Sequence, residues 1–436
     1  MADRDREQRH NFLAFATDYI FFATAMGVIN SNTVLPTFAT QLGASTTVVG
    51  ALVTVLSVCW TLPQLIAGNV VSRFERKKPL MLRMALIGRP LLLALGVLIA
   101  LTRAQPPGLI LVALFGAFAL FLGIDSFSAV SWFDILGRAF PPERRGGYIA
   151  VWQVGKSVML LGISALVGFI LSEGGPPFPY NYALLFCIAG VFLLIAVFGL
   201  SRIHEPPPAS GEATTTYVAW RDFGRHVTRL WREDARLRRI SIARVLFTLS
   251  TMAFPFYILY ATDELHFSAQ IIGVFIAAQT VGMLVASIAL GRIADRYGAH
   301  RTIQVGALLA ISAPILALVI VFTPRGQVGI LRDAYAWIYI CMGLSENLLM
   351  LGYLNYAVDI APVSQRAIYM GTFNALATIG VFGPTIGGWL LSRTSYAVLF
   401  AVALACGIGA LALAFHLPAV RVHAHPPNDA PASPQP

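Results

Sequence analysis

The chain has 436 residues, 57% of them hydrophobic and only 12% charged, with a formal net charge of +10 and a mean hydropathy of +0.71. A soluble protein of this size carries roughly twice that charge fraction, so composition excludes an ordinary soluble enzyme. The positive balance does not read as a nucleic-acid surface either, because of where the basic residues fall.

Runs of about 20 apolar residues are long enough to cross a bilayer as helices. The charged start, MADRDREQRH, leads into a first run at about 12–38, which is too long for a signal peptide, lacks a small-residue cleavage site and is expected to be retained. Further spans are predicted at about 46–70, 80–102, 109–137, 148–172 and 182–203. A linker at 204–239 follows, and its first part, HEPPPASGEATTT, reads as flexible or extended. Its second part, Tyr217 to Arg239, is helical in pattern: Trp220, Phe223, Val227, Leu230 and Trp231 share one face, while Arg221, Arg225, Arg229, Arg232 and Arg236 ring the other. Such a helix fits an anionic membrane surface or a solvated basic lead into the next span. Six more spans are predicted at about 240–262, 269–294, 302–323, 334–360, 369–391 and 396–418. A Pro- and His-rich tail at 419–436 is expected to be disordered. The expected fold is an all-α integral membrane protein of twelve transmembrane helices, split into an N-terminal half at 1–203, the linker, a C-terminal half at 240–418 and the tail. A β-barrel would show short alternating strands instead.

With the first segment placed in the cytoplasm, the loops on that side hold about twenty-four of the 31 Lys and Arg, and the opposite loops only Arg103, Arg325, Arg332 and Arg393. This is the positive-inside bias, so both termini are expected to be cytoplasmic. Cys59, Cys187, Cys341 and Cys406 all lie inside apolar spans and read as small core residues rather than disulfides or a metal cluster.

One half of the chain repeats the other. GNVVSRFERKK from Gly68 returns 223 positions later as GRIADRYGAHR from Gly291, and PPERRGGYIAVWQ from Pro141 returns at an offset of 221 as PVSQRAIYMGTFN. The second alignment places Arg145 on Arg366, Tyr148 on Tyr369 and Gln153 on Asn374. In a membrane protein such duplication places a binding site between the halves and makes alternating access mechanically natural.

These residues resemble the major facilitator superfamily over essentially the whole chain, Asn11 to about Pro418. The specific element is the loop signature G-x-x-x-D-R-x-G-x-x-R/K. The second copy fits it at Gly291, Asp295, Arg296, Gly298 and Arg301; the first keeps Gly68 and Arg73, but Ser72 replaces the acid and Glu75 the second glycine. The resemblance implies a cytoplasmic gate in which Asp295 latches onto the start of span five near Tyr148, and Ser72 meets the start of span eleven near Tyr369. Its physical basis is an acid or hydroxyl answering the exposed N–H groups of a helix start, with Gly68 and Gly291 allowing close approach. Arg138, Asp134, Asp359, Arg145 and Arg366 are assigned to the same gate. The run GVFGPTIGGWL marks span eleven as closely packed or bendable.

A charge in mid-bilayer costs about 2.5–3.5 kcal/mol on insertion scales, so such residues line a cavity or pair with each other. Asp125 and Glu346 fall near the midplane and on one another at the 221 offset; Asp18, Arg89, Lys156 and Arg244 lie in the inner half of their spans. Asp125 and Glu346 are expected to carry proton or ion coupling, since their protonation can report which side is open. The competing reading is structural ion pairing, Asp125 with Lys156 or Asp134 with Arg89. The three cations either neutralise these acids or hold an anionic substrate. Trp132, Trp152, Gln153, Asn347, Tyr353, Asn355 and Asn374 are candidates for binding an organic solute in a central cavity.

The function expected is secondary active transport of a small organic solute by alternating access, coupled to protons and directed outward. Uptake of an organic anion through Arg89 and Lys156, or a non-transporting sensor with the same fold, are the alternatives. Gly162-Ile163-Ser164 is a poor serine-nucleophile site, because no span carries a well-placed histidine base, and no H-E-x-x-H or phosphate-binding loop is present. The expected partners are the solute, protons and the lipid of the plasma (inner) membrane, with no cofactor, metal or nucleic acid, and the chain acting as a monomer.

Overall fold

The computed structural model describes residues 2–207, 228–324, 328–362 and 366–419, and every regular element among them is helical. Twelve helices are long and apolar enough to cross a membrane: α1 (Arg6–Val28), α2 (Thr46–Gly68), α3 (Lys78–Thr102), α4 (Pro107–Ala139), α5 (Glu143–Ile170), α6 (Tyr180–Arg202), α7 (Ala235–Glu264), α8 (Ile271–Tyr297), α9 (Ala299–Phe322), α10 (Ala334–Ile360), α11 (Tyr369–Arg393) and α12 (Tyr396–Phe415). An even number of crossings returns the end of α12 to the face where α1 begins, here called the termini face.

Packing repeats between the halves. In the first bundle α1 packs on α5 and α6, α2 on α4, and α3 on α4 and α6. The second reproduces each pair: α7 on α11 and α12, α8 on α10, and α9 on α10 and α12. The bundles meet mainly along α2 with α11 and α5 with α8, two seams that exchange under the same relation.

These seams close the face remote from the termini. A Cβ on Gly50 would run into the Pro384 carbonyl, one on Gly388 into the Thr46 carbonyl, and one on Gly273 into Ser164 and Gly168, so small residues let the helix backbones touch. Hydrogen bonds between the bundles cluster there too: Thr46 Oγ1 donates to the Gly388 carbonyl (3.0 Å) and Thr385 Oγ1 to Thr54 Oγ1 (2.8 Å). At the termini face, by contrast, Gly68 and Gly291 meet no neighbouring atom within 4 Å. The arrangement is shut on the far face and open towards the termini.

Several helices are interrupted where the sequence predicts a continuous span. The first run breaks after Val28, because the Asn30 side-chain oxygen accepts the Asn32 N–H (2.8 Å) in a tight turn, and resumes as the short helix Val34–Gln41. Pro90 breaks α3 directly after Arg89. The Gly-Pro run of α11 tightens to a three-residue turn over Thr378–Phe382 before Gly383 and Pro384. α10 widens to a π turn over Leu349–Leu354, shortly after Glu346. Between α8 and α9 the connection shrinks to Gly298 at φ 82, a left-handed value that explains why the second signature copy needs glycine there. Glu75, its counterpart in the first copy, lies in the longer connection between α2 and α3 and escapes that requirement.

Where it is described, at 204–207 and 228–239, the linker is pinned to the bundles. Asn11 exchanges two hydrogen bonds with the His204 backbone (3.0 and 2.8 Å), and the Glu205 carboxylate accepts the N–H groups of Lys77 and Lys78 (2.7 and 3.0 Å), capping α3. At the other end Asp234 caps α7 by accepting the N–H groups of Arg236 and Leu237 (2.7 and 3.0 Å). The basic amphipathic helix expected over 217–239 lies outside the described residues up to 227; 228–233 is helical, where Leu230 packs on the core and Arg229 pairs with Glu233 in solvent, and 235–239 is already the start of α7. The tail beyond 419 also lies outside them.

Candidate functional site

A cavity of about 540 Å³ lies between the bundles, lined by α1, α2, α3, α4 and α5 from one side and by α8 and α10 from the other. Its walls are apolar and aromatic, with Tyr19, Phe22, Trp60, Trp132, Phe133 and Met283, and its polar groups are few and grouped. That mixture suits an organic solute with both apolar and hydrogen-bonding surface.

Six of the cavity residues expected from the sequence line it: Asp18, Arg89, Asp125, Trp132, Lys156 and Glu346. Arg89 sits at the break in α3, where Pro90 turns the helix, and donates from Nη1 to Asp18 Oδ1 (2.6 Å) and from Nε to Asp125 Oδ1 (2.9 Å). The guanidinium also stacks over Phe22 at 4.9 Å. All three side chains are buried, at 4%, 7% and 2% exposure, so one cation is shared by two acids with little help from water. The pairings expected from sequence are thereby replaced. Asp125 is bound to Arg89 and not Lys156; Asp134 stands at the termini face with Lys77 (2.5 Å) and Arg138.

On the other wall Glu346 has an amide as its hydrogen-bonding partner: Gln279 Nε2 donates to its Oε1 at 2.6 Å. The contact depends on close packing of α8 and α10, where a Cβ on Gly282 would strike the Ile340 carbonyl and one on Gly343 the Gln279 carbonyl. Gln279 Oε1 in turn accepts from Asn30 Nδ2 of the first bundle at 3.0 Å. Lys156 forms no ion pair among the described residues, and its Nζ lies 3.8 Å from Met283 Sδ.

The others stand outside the cavity wall, Tyr353 among them as a fully buried side chain. Trp152 is 1% exposed in an aromatic stack with Phe12, Phe15 and Phe140, so it is core. Gln153 lies one layer back and accepts from the Tyr19 hydroxyl (2.5 Å). Asn347 donates to the Met283 carbonyl and Asn355 to the Leu351 carbonyl. Asn374 accepts from Arg244 Nη1 (2.9 Å), whose guanidinium lies over Phe373 at 4.4 Å, so Arg244 is neither an acid's counter-ion nor part of the cavity. Tyr19, Asn30, Trp60, Ser128, Gln279 and Met283 are lining residues the sequence reading passed over.

At the termini face the expected gate residues divide. Asp134, Arg138, Lys77 and Glu205 form one network, with Arg138 also 3.6 Å from Glu205, and Arg145 donates to the Phe140 and Gly137 carbonyls at the end of α4. Asp295 makes no hydrogen bond or ion pair to the start of α5 among the described residues. Asp295 and Arg296 are exposed, Tyr148 packs on Phe12 and Phe140, and the Tyr369 hydroxyl donates to Asp234 (2.6 Å). Arg301 bonds Gln304 (3.0 Å), Ser72, Arg73 and Asp359 are exposed, and the Arg366 side chain lies outside the described residues.

Partial burial favours the neutral form of Asp234. The hydrogen bonds from Tyr369, Leu237 and Arg236, with the Arg236 charge, outweigh it and hold this carboxyl below the usual carboxylate range. Among the described residues no group of three His, Cys, Asp or Glu is placed to hold a metal ion. Ser164 is 3% exposed, with its hydroxyl bonded to the Leu161 carbonyl (2.6 Å).

A sequence profile of the Major Facilitator Superfamily matches residues 19–237 and 240–436. The chain belongs to that family. It is therefore a multi-pass membrane transporter and not an enzyme. A putative metabolite transport protein of Haemophilus influenzae is 26% identical over 305 residues, covering 66% of this chain and 69% of that protein. A putative sugar efflux transporter of Deinococcus radiodurans is 24% identical over 196 residues, 44% of this chain and 49% of its own length, so the match spans about half of that relative. Among solved structures, a bacterial homologue of the iron transporter ferroportin superposes with TM-score 0.68 in its inward-facing state, at 14% identity, covering 94% of this facilitator and 98% of that chain. The outward-facing state of that homologue gives 0.62. At such identity the likeness concerns the fold alone.

Proposed function

We propose that this facilitator exports a small organic solute in exchange for protons, with its termini in the cytoplasm and its site in the cavity between bundles 1–203 and 240–418. Basic residues concentrated at the termini face support that orientation in a plasma membrane. A cavity enclosed by the helices of one chain is consistent with a working monomer.

The observation that carries the reading is the contrast between the cavity acids. Asp18 and Asp125 are both engaged by Arg89, whereas Glu346 has an amide partner and, among the described residues, no cation within ion-pair distance. Glu346 is thus the acid with most to gain from taking and losing a proton as access alternates. A solute that enters from the cytoplasm meets aromatic walls and this acid together, and the export direction is that of the putative sugar efflux transporter of Deinococcus radiodurans. A second reading rests on Lys156, which lacks an ion-pair partner and could hold an anionic solute during uptake.

Proteoliposomes containing a pH-sensitive dye distinguish the two. A solute selected by thermal-shift screening should drive proton counterflow in wild type and none in Glu346→Gln, with its binding retained. Co-directional proton and anion movement, lost in Lys156→Ala, would favour uptake instead.

A further inference from the structure

We infer that Asn30 and Gln279 form a clasp that holds the far face shut while Glu346 is a carboxylate, and so prevents the empty, deprotonated carrier from reorienting. The inference rests on the exchange reading above and assigns it two positioning residues.

Donor and acceptor directions are fixed along the chain from Asn32 to Glu346. Asn32 N–H donates to Asn30 Oδ1 at 2.8 Å, which fixes that amide with its NH2 turned outwards. The Asn30 NH2 crosses to the second bundle and gives its hydrogen to Gln279 Oε1 at 3.0 Å. Gln279 then has only its own NH2 left, and that group donates to Glu346 Oε1 at 2.6 Å. Every member is oriented by its neighbour, and the chain ends on a group that accepts. A carboxylate suits this end well, since charge-assisted hydrogen bonds are about twice as strong as neutral ones.

Protonating Glu346 weakens that acceptor and adds a donor. Protonation removes the charge that strengthens the Gln279 bond, and with it the hold that keeps Gln279 Oε1 turned towards Asn30. Asn30 cannot reverse to compensate, because its oxygen is held by the Asn32 backbone. The bond between the bundles, which depends on the orientation of Gln279, is thereby weakened. Asn30 lies at the outer break of the first span and Gln279 eight residues into α8 from its far-face end, so the link spans the side that is closed here. The charged groups sharing the cavity with Glu346 are Lys156 on α5, Asp18 on α1, Arg89 on α3 and Asp125 on α4; α8 and α9 carry theirs only near the termini face.

A carrier clasped in this way waits, open to the cytoplasm, until a proton or a solute contacting Glu346 and Gln279 releases it. That is the condition for obligatory exchange, because an empty carrier that slips back dissipates the gradient.

The test uses full-length protein in nanodiscs, with spin labels at Glu173→Cys and Ser268→Cys on the far-face loops of the two bundles, after the four native cysteines are replaced. Wild type should show one short distance at pH 8, and a longer, open population that rises about tenfold at pH 5, the scale of one lost hydrogen bond. Asn30→Ala and Gln279→Leu, on different helices, should each show that open population at pH 8 and lose most of the pH response. Wild-type distances and pH response in both variants would overturn the clasp, as would opening in the variants with no pH response in wild type. Failure of proton exchange itself shows elsewhere, as solute transport by wild-type proteoliposomes with no proton counterflow.

Discussion

Asp125 and Glu346 occupy matching places on α4 and α10, 221 residues apart, yet Asp125 accepts a hydrogen bond from the Arg89 guanidinium and Glu346 from the Gln279 amide. The two halves carry matching acids with different neighbours, and the proposed exchange makes one a fixed charge and the other the responsive one. At the position matching Gln279, by the 223 offset of these two spans, the first half has Leu56, and Arg89 has no cationic counterpart on α9.

Removing Arg89 tests the fixed side. Arg89→Ala would leave Asp18 and Asp125 buried without their cation, at a cost of about 3–5 kcal/mol. Its melting temperature in detergent should fall steeply, and adding Asp18→Asn and Asp125→Asn should restore much of the loss. Additive losses in a double-mutant cycle would show that the three side chains do not act as a unit.

The helix seams predict opposite outcomes for two glycines. Gly50→Leu must push α2 away from the Pro384 carbonyl, an overpacking cost of about 1–3 kcal/mol against the present conformation. Far-face thiol labelling should rise in that variant. Gly68→Ala meets nothing within 4 Å and should leave this conformation's stability within about 0.5 kcal/mol of wild type.

Asp234 ties the linker to α7 and, through Tyr369, to α11. Its carboxyl is held below its ordinary value of 3.8, so the stability it contributes is present above about pH 4 and is lost as pH falls through the lower folded value. Asp234→Ala should cost about 1 kcal/mol at pH 7, and the difference from wild type should shrink as pH drops below about 4. A difference in melting temperature that does not change with pH would contradict this.

Asp295 is exposed here, so its contribution should emerge only when the termini face closes. Asp295→Asn is expected to leave the present conformation's stability unchanged but to raise cytoplasmic thiol accessibility under conditions that favour closure. Equal labelling of variant and wild type under those conditions would remove Asp295 from the gate.

The sequence made the twelve spans, the duplication and the charged cavity residues legible, because long apolar runs and intramembrane charges are strong signals. Pairing was harder to read. Arg89 lies near Asp18 and Asp125 through the break at Pro90 and the packing of α1, neither of which spacing reveals. Trp152 turned out to be core, since the rotation of α5 directs it towards Phe12 and Phe15. Asn30 and Gln279 were missed because uncharged amides hardly disturb an apolar pattern. Glu205 and Asp234 were hidden in a linker whose composition suggested slack, although its ends cap α3 and α7.

Alternating exposure of the cavity is tested most directly at Ala129, a half-buried lining residue on α4. With Ala129→Cys as the sole cysteine, a membrane-impermeant thiol reagent applied to right-side-out and inside-out vesicles reads access from each face. Modification from the cytoplasmic face is expected at neutral pH, with gain of modification from the external face when that side is acidified. Labelling from one face under every condition, or from neither, would contradict alternating exposure.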